Sequence, residues 1–252
     1  MGLVKNYKPN IVQVENGQQL AMRALDEFIQ IAHETIDNKG VFNVAISGGH
    51  TPGLFYEMLS EEPAYSQVDW SRVHIFWVDE RCVHPSAEAS NFGLAAHTFL
   101  LDVPIPGENV HRVSGEEIDY AKAAKDYEKL ILNIFHMKRG QIPEFDLILL
   151  GMGADGHIAS LLPNTYALFD TEDLVSAVYK MDGDFSRITL TVPVLRMARK
   201  LIILISGQAK AEIVREVFRS EPDEVKYPVH SLWPILDRIT WIMDKHAGAL
   251  IQ

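Results

Sequence analysis

The amino-acid sequence predicts a single Rossmann-like α/β domain over residues 1–252, a mostly parallel sheet with helices on both faces. Three observations carry that prediction. Short apolar runs alternate with segments of helical periodicity, the pattern of parallel strands joined by crossover helices. Several of these runs end in a glycine turn that opens the next helix. No sharp change of composition divides the chain, and 47% hydrophobic residues are enough for a substantial core.

In chain order, Gln18 to Ile36 carries Leu20, Ala24, Leu25, Phe28, Ile31 and Ala32 at spacings of three and four, which predicts an amphipathic helix closed by a turn at Asp37–Gly40. The first predicted strand, Val41–Ile46, ends in Ser47-Gly48-Gly49-His50-Thr51-Pro52. Backbone N–H groups at such a turn and at the helix N-terminus lack intrahelical acceptors and can donate to an anion, and Pro52 suits the first turn. The same glycines also serve as an ordinary tight turn, with Thr51 as N-cap.

Val73–Val78 is the next strand, and it runs out in Asp79-Glu80-Arg81. Ligands of open parallel sheets lie beyond the carboxyl ends of strands, which favours function for these three; a solvated Glu80–Arg81 ion pair is the alternative. Val103–Gly107 is a loop, and Glu116–Met137 a helix with a solvated, mixed-charge outer face. His84 and His97 have no neighbours at metal-ligand spacing, so no metal is expected.

The apolar run Phe145–Leu150 delivers a glycine-rich turn, Gly151-Met152-Gly153-Ala154-Asp155-Gly156-His157-Ile158-Ala159-Ser160-Leu161-Leu162-Pro163, around which the chain is organised. Its glycines permit positive φ and close approach of a ligand, while Asp155 and His157 supply a carboxylate and an imidazole. Alternatively Asp155 caps a helix starting near His157. Gly151, Gly153 and Gly156 fit Gly-x-Gly-x-x-Gly, but His157 and the early Pro163 leave little room for a phosphate-facing helix, so no nicotinamide cofactor is expected.

Asp170–Asp184 reads as polar and irregular, with a turn at Met181–Asp184. Arg187 enters the strand Ile188–Val192, and Arg196–Arg199 is helical in character. Leu201–Ile205 is a strand closed by Ser206-Gly207-Gln208-Ala209-Lys210 and followed by a helix at Ala211–Arg219. Lys210 in a first helical turn opposes the dipole and calls for an anionic partner, unless it is simply solvated. Ile239–Asp244 is the last strand, with a closing turn or helix over Lys245–Leu250.

Lys and Arg number 23 against 34 Asp and Glu, a net charge of -11, which gives no footprint for nucleic acid. The single cysteine, Cys82, rules out an intramolecular disulfide and suits a reducing compartment. No apolar segment has the length of a membrane span and Met1–Tyr7 does not open a leader, so a cytoplasmic protein with no membrane or obligatory protein partner is expected.

The Gly151–Pro163 turn resembles that of the 6-phosphogluconolactonases, within the larger group that also holds the glucosamine-6-phosphate deaminases. The deaminase loop has Glu-Asn-Gly-His-Ile and then Asn-Glu-Pro; here Asp155-Gly156-His157 and Ser160-Leu161-Leu162-Pro163 stand instead, with Ala154 and Leu162 as small departures from the lactonase pattern. Ser47-Gly48-Gly49-x-Thr51-Pro52 and Ser90-Asn91-Phe92 are similar to further motifs of the family, and the likeness runs from Ser47 to Asp244.

The resemblance implies hydrolysis of 6-phosphoglucono-1,5-lactone in the oxidative pentose phosphate pathway, without a cofactor. It implies His157 as general base with Asp155 orienting it, phosphate held by Ser47, Gly48, Gly49, Arg81 and Lys210 with Arg187 nearby, and oxyanion donors near Gly153 and Gly156. A deaminase-isomerase and a non-catalytic sugar-phosphate sensor are the alternatives. The former is disfavoured by the missing loop elements, the latter because about forty residues precede the first predicted strand.

Overall fold

In the computed structural model, which describes residues 8–180 and 184–251, seven parallel strands form the central sheet. The elements are β1 (Asn10–Val14), α1 (Gly17–Lys39), β2 (Phe42–Ile46), α2 (His50–Ser60), β3 (Val73–Trp77), β4 (Asp79–Arg81), α3 (Asn91–Ala95), β5 (Val110–His111), α4 (Tyr120–Ile134) and β6 (Leu147–Gly151). Then come α5 (Tyr166–Phe169), β7 (Val175–Val178), β8 (Arg187–Leu190), α6 (Val192–Met197), β9 (Leu201–Ile205), α7 (Ala211–Arg219) and β10 (Ile239–Asp244).

The sheet order is β1-β10-β9-β6-β2-β3-β5. From β2 the chain steps outward to β3 and β5, and from β6 it steps the other way to β9 and β10. The direction of winding therefore reverses between the neighbours β2 and β6, and the crevice at their carboxyl ends is the place where such sheets bind ligands. Two of the predicted glycine turns leave these two strands.

Helices cover both faces, as the register shows. Phe42 stands opposite Val73, so Phe42, Val44 and Trp77 share a face that the ring of Phe28 on α1 reaches at 5.4 Å. Phe76 points the other way, to Phe135 beyond α4 at 5.8 Å, and Trp241 on the same face meets Phe218 of α7 at 4.8 Å. With both faces packed, β9 is buried at all five positions, which explains its unbroken apolar sequence. Among the described residues no helix is long and apolar enough to cross a membrane.

Several elements differ from expectation. A strand, β1, precedes Val41–Ile46 and pairs with β10, so fewer than forty residues lie ahead of the first strand. The helix α1 runs on through Asp37–Lys39 and ends at Gly40, whose left-handed φ of 76° and N–H to Ile36 close it, while Lys39 is drawn onto buried Asp146 at 2.6 Å. The helix α4 is shorter than Glu116–Met137: Arg112 engages Glu116, Asp119 caps at Lys122 N–H, and His136 at φ 53° turns the chain out. Its charged face is not wholly solvated, because Glu128 is buried and accepts from the Leu174 N–H at 2.8 Å.

Asp170–Asp184 is not irregular throughout: β7 lies within it, part of a second, antiparallel sheet of order β4-β8-β7. Residues 181–183 of the expected turn lie outside the described residues. The strand before Pro193 stops at Leu190, and α6 occupies Val192–Met197 rather than Arg196–Arg199, because Pro193 fits a first helical turn.

At the sheet edge His74 Nδ1 and His111 Nε2 share a hydrogen bond of 2.9 Å, with Phe76 packed on His111. Burial, with His74 beside it, pushes His111 down to about 4, and burial also lowers His74. An unfolded histidine titrates near about 6.5, so the folded state binds fewer protons below that pH. Stability contributed by the neutral pair is full above about 6.5 and lost as pH falls toward 4. The melting temperature should thus drop less steeply between pH 7 and 4.5 in His111→Phe than in the parent; parallel curves would remove the pair from acid sensitivity.

Candidate active site

A cavity of about 370 Å³ opens at the switch point between β2 and β6. One wall is the turn after β2. Buried Ser47 ties the two strand ends together, its hydroxyl donating to the Leu149 carbonyl at 2.7 Å while Tyr56 O–H donates to the Ser47 carbonyl. Gly49 stands at φ 105° as N-cap of α2, in place of the Thr51 cap considered from sequence. A Cβ on Gly48 would lie 1.8 Å from Asn91 Oδ1, so only glycine fits there. The N–H groups of Gly48 and Gly49 donate to no other group among the described residues, leaving a helix N-terminus with free donors facing the cavity.

The second wall is the small sheet. Arg81 on β4 and Arg187 on β8 are directly opposed in the antiparallel register, and both line the cavity. Like charges directly opposite on adjacent strands are destabilising, an arrangement that an anion between them relieves. Arg81 Nη1 donates to the Ala89 carbonyl at 2.6 Å and Arg187 Nη2 contacts Asp184 at 3.2 Å, yet both Nε groups are buried without a partner.

Glu80 does not form a solvated pair with Arg81. It is buried, which raises its carboxyl, and it accepts from the N–H groups of Arg81, Asn91 and Phe92 and from the Ser90 hydroxyl, four donors that oppose that rise without cancelling it. That cluster seats Asn91 against Gly48, with Asn91 Nδ2 held by the Asp79 carbonyl at 2.8 Å.

The third wall is the turn after β6. No helix begins at His157; Met152 bridges Ile158, Ile158 bridges Leu161, and Ala159 adopts a left-handed φ of 50°. Asp155 Oδ1 accepts from both the N–H of His157 at 3.1 Å and its Nδ1 at 2.6 Å. That hydrogen bond holds the Asp155 carboxyl at about 2, against the opposing effect of burial, so the carboxylate is ionised at neutral pH. An ionised acceptor fixes the proton on Nδ1 and leaves Nε2 with the basic lone pair. His157 lines the cavity, its side chain 27% exposed.

Gly153 and Gly156 do not stand ready as oxyanion donors. The Gly153 N–H donates to the His157 carbonyl at 2.8 Å and the Gly156 N–H to the Gly153 carbonyl at 3.2 Å, so the turn consumes both. Gly153 is needed for space instead: a Cβ there would lie 2.1 Å from His157 Nδ1 and 2.7 Å from Asp155 Oδ1. Ala154 also lines the cavity, and its N–H donates to no group among the described residues.

Lys210 closes the site from the start of α7. Its Nζ donates to the Met152 carbonyl at 2.8 Å, and burial lowers its ammonium while the Asp155 charge opposes this. The expected residues Ser47, Gly48, Gly49, Arg81, Gly153, His157, Arg187 and Lys210 thus line one cavity, while Asp155 and Gly156 belong to the same turn without lining it. Sequence reasoning gave no individual part to Asp79, whose Oδ2 takes the Ser160 hydroxyl at 2.6 Å, or to Asn91, because both act through partners far away in the chain. Among the described residues no three His, Cys, Asp or Glu side chains are grouped to hold a metal ion.

The chain is similar to known proteins over almost its whole length. The family described as glucosamine-6-phosphate isomerases/6-phosphogluconolactonase matches residues 15–241. The chain is similar to the 6-phosphogluconolactonase of Synechocystis, 35% identical over 240 residues that cover 95% of this chain and 97% of that one. It is equally similar to the 6-phosphogluconolactonase of Nostoc, at 35% identity over 91% and 93% of the two chains. The structure of 6-phosphogluconolactonase from Trypanosoma cruzi superposes with a TM-score of 0.85 at 29% identity, covering 96% of this chain and 97% of that chain.

Proposed function

The chain belongs to the glucosamine-6-phosphate isomerase/6-phosphogluconolactonase family, and we propose that it is a single hydrolase domain converting 6-phosphoglucono-1,5-lactone and water to 6-phosphogluconate. The observation that carries this reading is one cavity with an ionised Asp155 holding His157 at one side and two opposed arginines beside a free helix N-terminus at the other.

In this reading the phosphate dianion lies against the Gly48 and Gly49 N–H groups, Arg81, Arg187 and Lys210, which orients the remote lactone carbonyl. Ser47 shapes that turn rather than donating to phosphate, since its hydroxyl already donates to the Leu149 carbonyl. His157 Nε2 takes a proton from water as the water oxygen bonds to the lactone carbon, giving a tetrahedral oxyanion. The Ala154 N–H stabilises that charge in place of Gly153 and Gly156. Collapse breaks the bond to the ring oxygen, which receives the proton from His157 and leaves the open-chain acid. The reaction requires no cofactor and places the protein in the oxidative pentose phosphate pathway of the cytoplasm.

The test is product identification. Freshly made 6-phosphoglucono-1,5-lactone should give 6-phosphogluconate well above its spontaneous rate, and glucosamine 6-phosphate should release no ammonia. Ammonia release with an unaccelerated lactone would replace this function by the deaminase chemistry. The turn itself supplies a sharper variant: Gly153→Ala pushes a methyl group into the His157–Asp155 pair and is expected to lower kcat about 100-fold, as misplacement of a catalytic group by about 1 Å can do. Its affinity for 6-phosphogluconate, measured by calorimetry, should stay near that of the parent.

A further inference from the structure

The tip of the Gly151–Pro163 turn is gripped from outside by a segment that the reaction scheme does not use. The Gly156 carbonyl accepts from the Val229 N–H at 3.0 Å, the one backbone hydrogen bond from another element to Asp155, Gly156 or His157 among the described residues. Gly156 holds φ at 80°, and the ring and backbone of buried Tyr227 lie 3.2 to 3.4 Å from where its Cβ would stand. Cδ1, Cβ and Cα of Tyr227 thus back the residue between Asp155 and His157.

This backing is itself anchored. His230, 1% exposed, has both ring nitrogens engaged: Nδ1 accepts from the Asp223 N–H and Nε2–H donates to the Val217 carbonyl on α7, each at 2.8 Å. The His230 N–H donates to the Tyr227 carbonyl at 2.8 Å and the Tyr227 N–H to the Asp223 carbonyl at 2.9 Å, so Asp223–His230 is a closed knot tied to the end of α7. At the other end of α7, Lys210 holds the Met152 carbonyl. One helix thereby fixes the turn both at its entry and at its tip.

We infer that Tyr227 and His230, with the Val229 N–H, form a clasp that sets the angle of the Asp155–Gly156–His157 tip, making the two side chains positioning residues for the proton transfer by His157. The inference deepens the function proposed above and rests on it for its kinetic arm. The clasp lies behind the turn and does not line the phosphate walls, so its loss should separate chemistry from binding.

Tyr227→Ala and His230→Phe should lower kcat about 10- to 100-fold while KM and the affinity for 6-phosphogluconate stay within about twofold. Tyr227→Phe, which gives up only the contact of the hydroxyl with Glu216 at 3.3 Å, should behave like the parent. The His157 ring resonances, assigned by their disappearance in His157→Asn, should move in Tyr227→Ala toward their positions in Asp155→Asn, because the ring loses its fixed place on the Asp155 carboxylate. Wild-type kcat and unmoved His157 resonances in a folded Tyr227→Ala would overturn the clasp. So would parallel loss of kcat and binding that follows the fraction of unfolded protein. Should the alanine variant not fold, Tyr227→Leu keeps apolar bulk without the flat ring and decides by the same two readouts. A parent that fails to hydrolyse the lactone would sink the function proposed above, while the change in the His157 resonances would still report on the clasp.

Discussion

His157→Asn is expected to lower kcat for 6-phosphoglucono-1,5-lactone by about 100- to 10,000-fold, the range for loss of a general acid-base group. Asparagine keeps a polar side chain that can still face Asp155 but has no basic nitrogen. The turn is braced by bonds that do not involve the imidazole, among them Gly153 N–H to the His157 carbonyl and the Ser160 hydroxyl to Asp79. Folding and 6-phosphogluconate binding should therefore survive, and the loss should lie in kcat. Stopped-flow rates corrected for spontaneous hydrolysis, set beside calorimetric affinities, measure the split. An enzyme still fully active would leave the imidazole without a part in the chemistry.

The second large effect concerns the opposed arginines. With the phosphate placed as proposed, Arg81→Ala or Arg187→Ala should remove a charge-assisted hydrogen bond to the dianion, worth about 1.5–3 kcal/mol, or roughly 10- to 100-fold in affinity. The two contacts share one phosphate, so the double variant should depart from additivity. Lys210→Ala should weaken binding as well, and also release the Met152 carbonyl that Nζ holds. Unphosphorylated gluconolactone should be a poor substrate whose turnover the arginine variants do not change. Equal turnover of both lactones, unaltered by the variants, would put the phosphate elsewhere.

Much of this site was legible in the sequence because it follows strand ends. Apolar runs locate β2, β6 and β9, and the glycine turns that follow two of them meet at one crevice because these strands are neighbours near the reversal of winding. What stayed illegible depends on partners distant in the chain. The second sheet joins Asp79–Arg81 to residues beyond 170, and its β7 is a four-residue strand between polar stretches, too short to register as a pattern. The opposition of Arg81 and Arg187 is a consequence of that register. Oxyanion donors near Gly153 and Gly156 were a reasonable expectation of a glycine turn, but whether an N–H is free depends on how the turn folds on itself, and here both are bound internally. Tyr227 beneath Gly156 left no trace in either local sequence.

In the proposed reaction His157, held at Nδ1 by ionised Asp155, draws the proton from water. The most direct test of this step is the pH dependence of kcat/KM for the parent and Asp155→Asn, with the spontaneous rate subtracted at every pH. Since only a neutral imidazole accepts a proton, activity should fall on the acid side in the parent. Asp155→Asn leaves Nδ1 without its ionised acceptor, so the plateau should fall while the acid limb persists. Asp155 itself, at about 2, stays ionised throughout the range examined and does not cause the limb. A flat corrected profile from about pH 5 to 8 in both proteins, across the span where histidine titrates, would contradict general-base catalysis by His157.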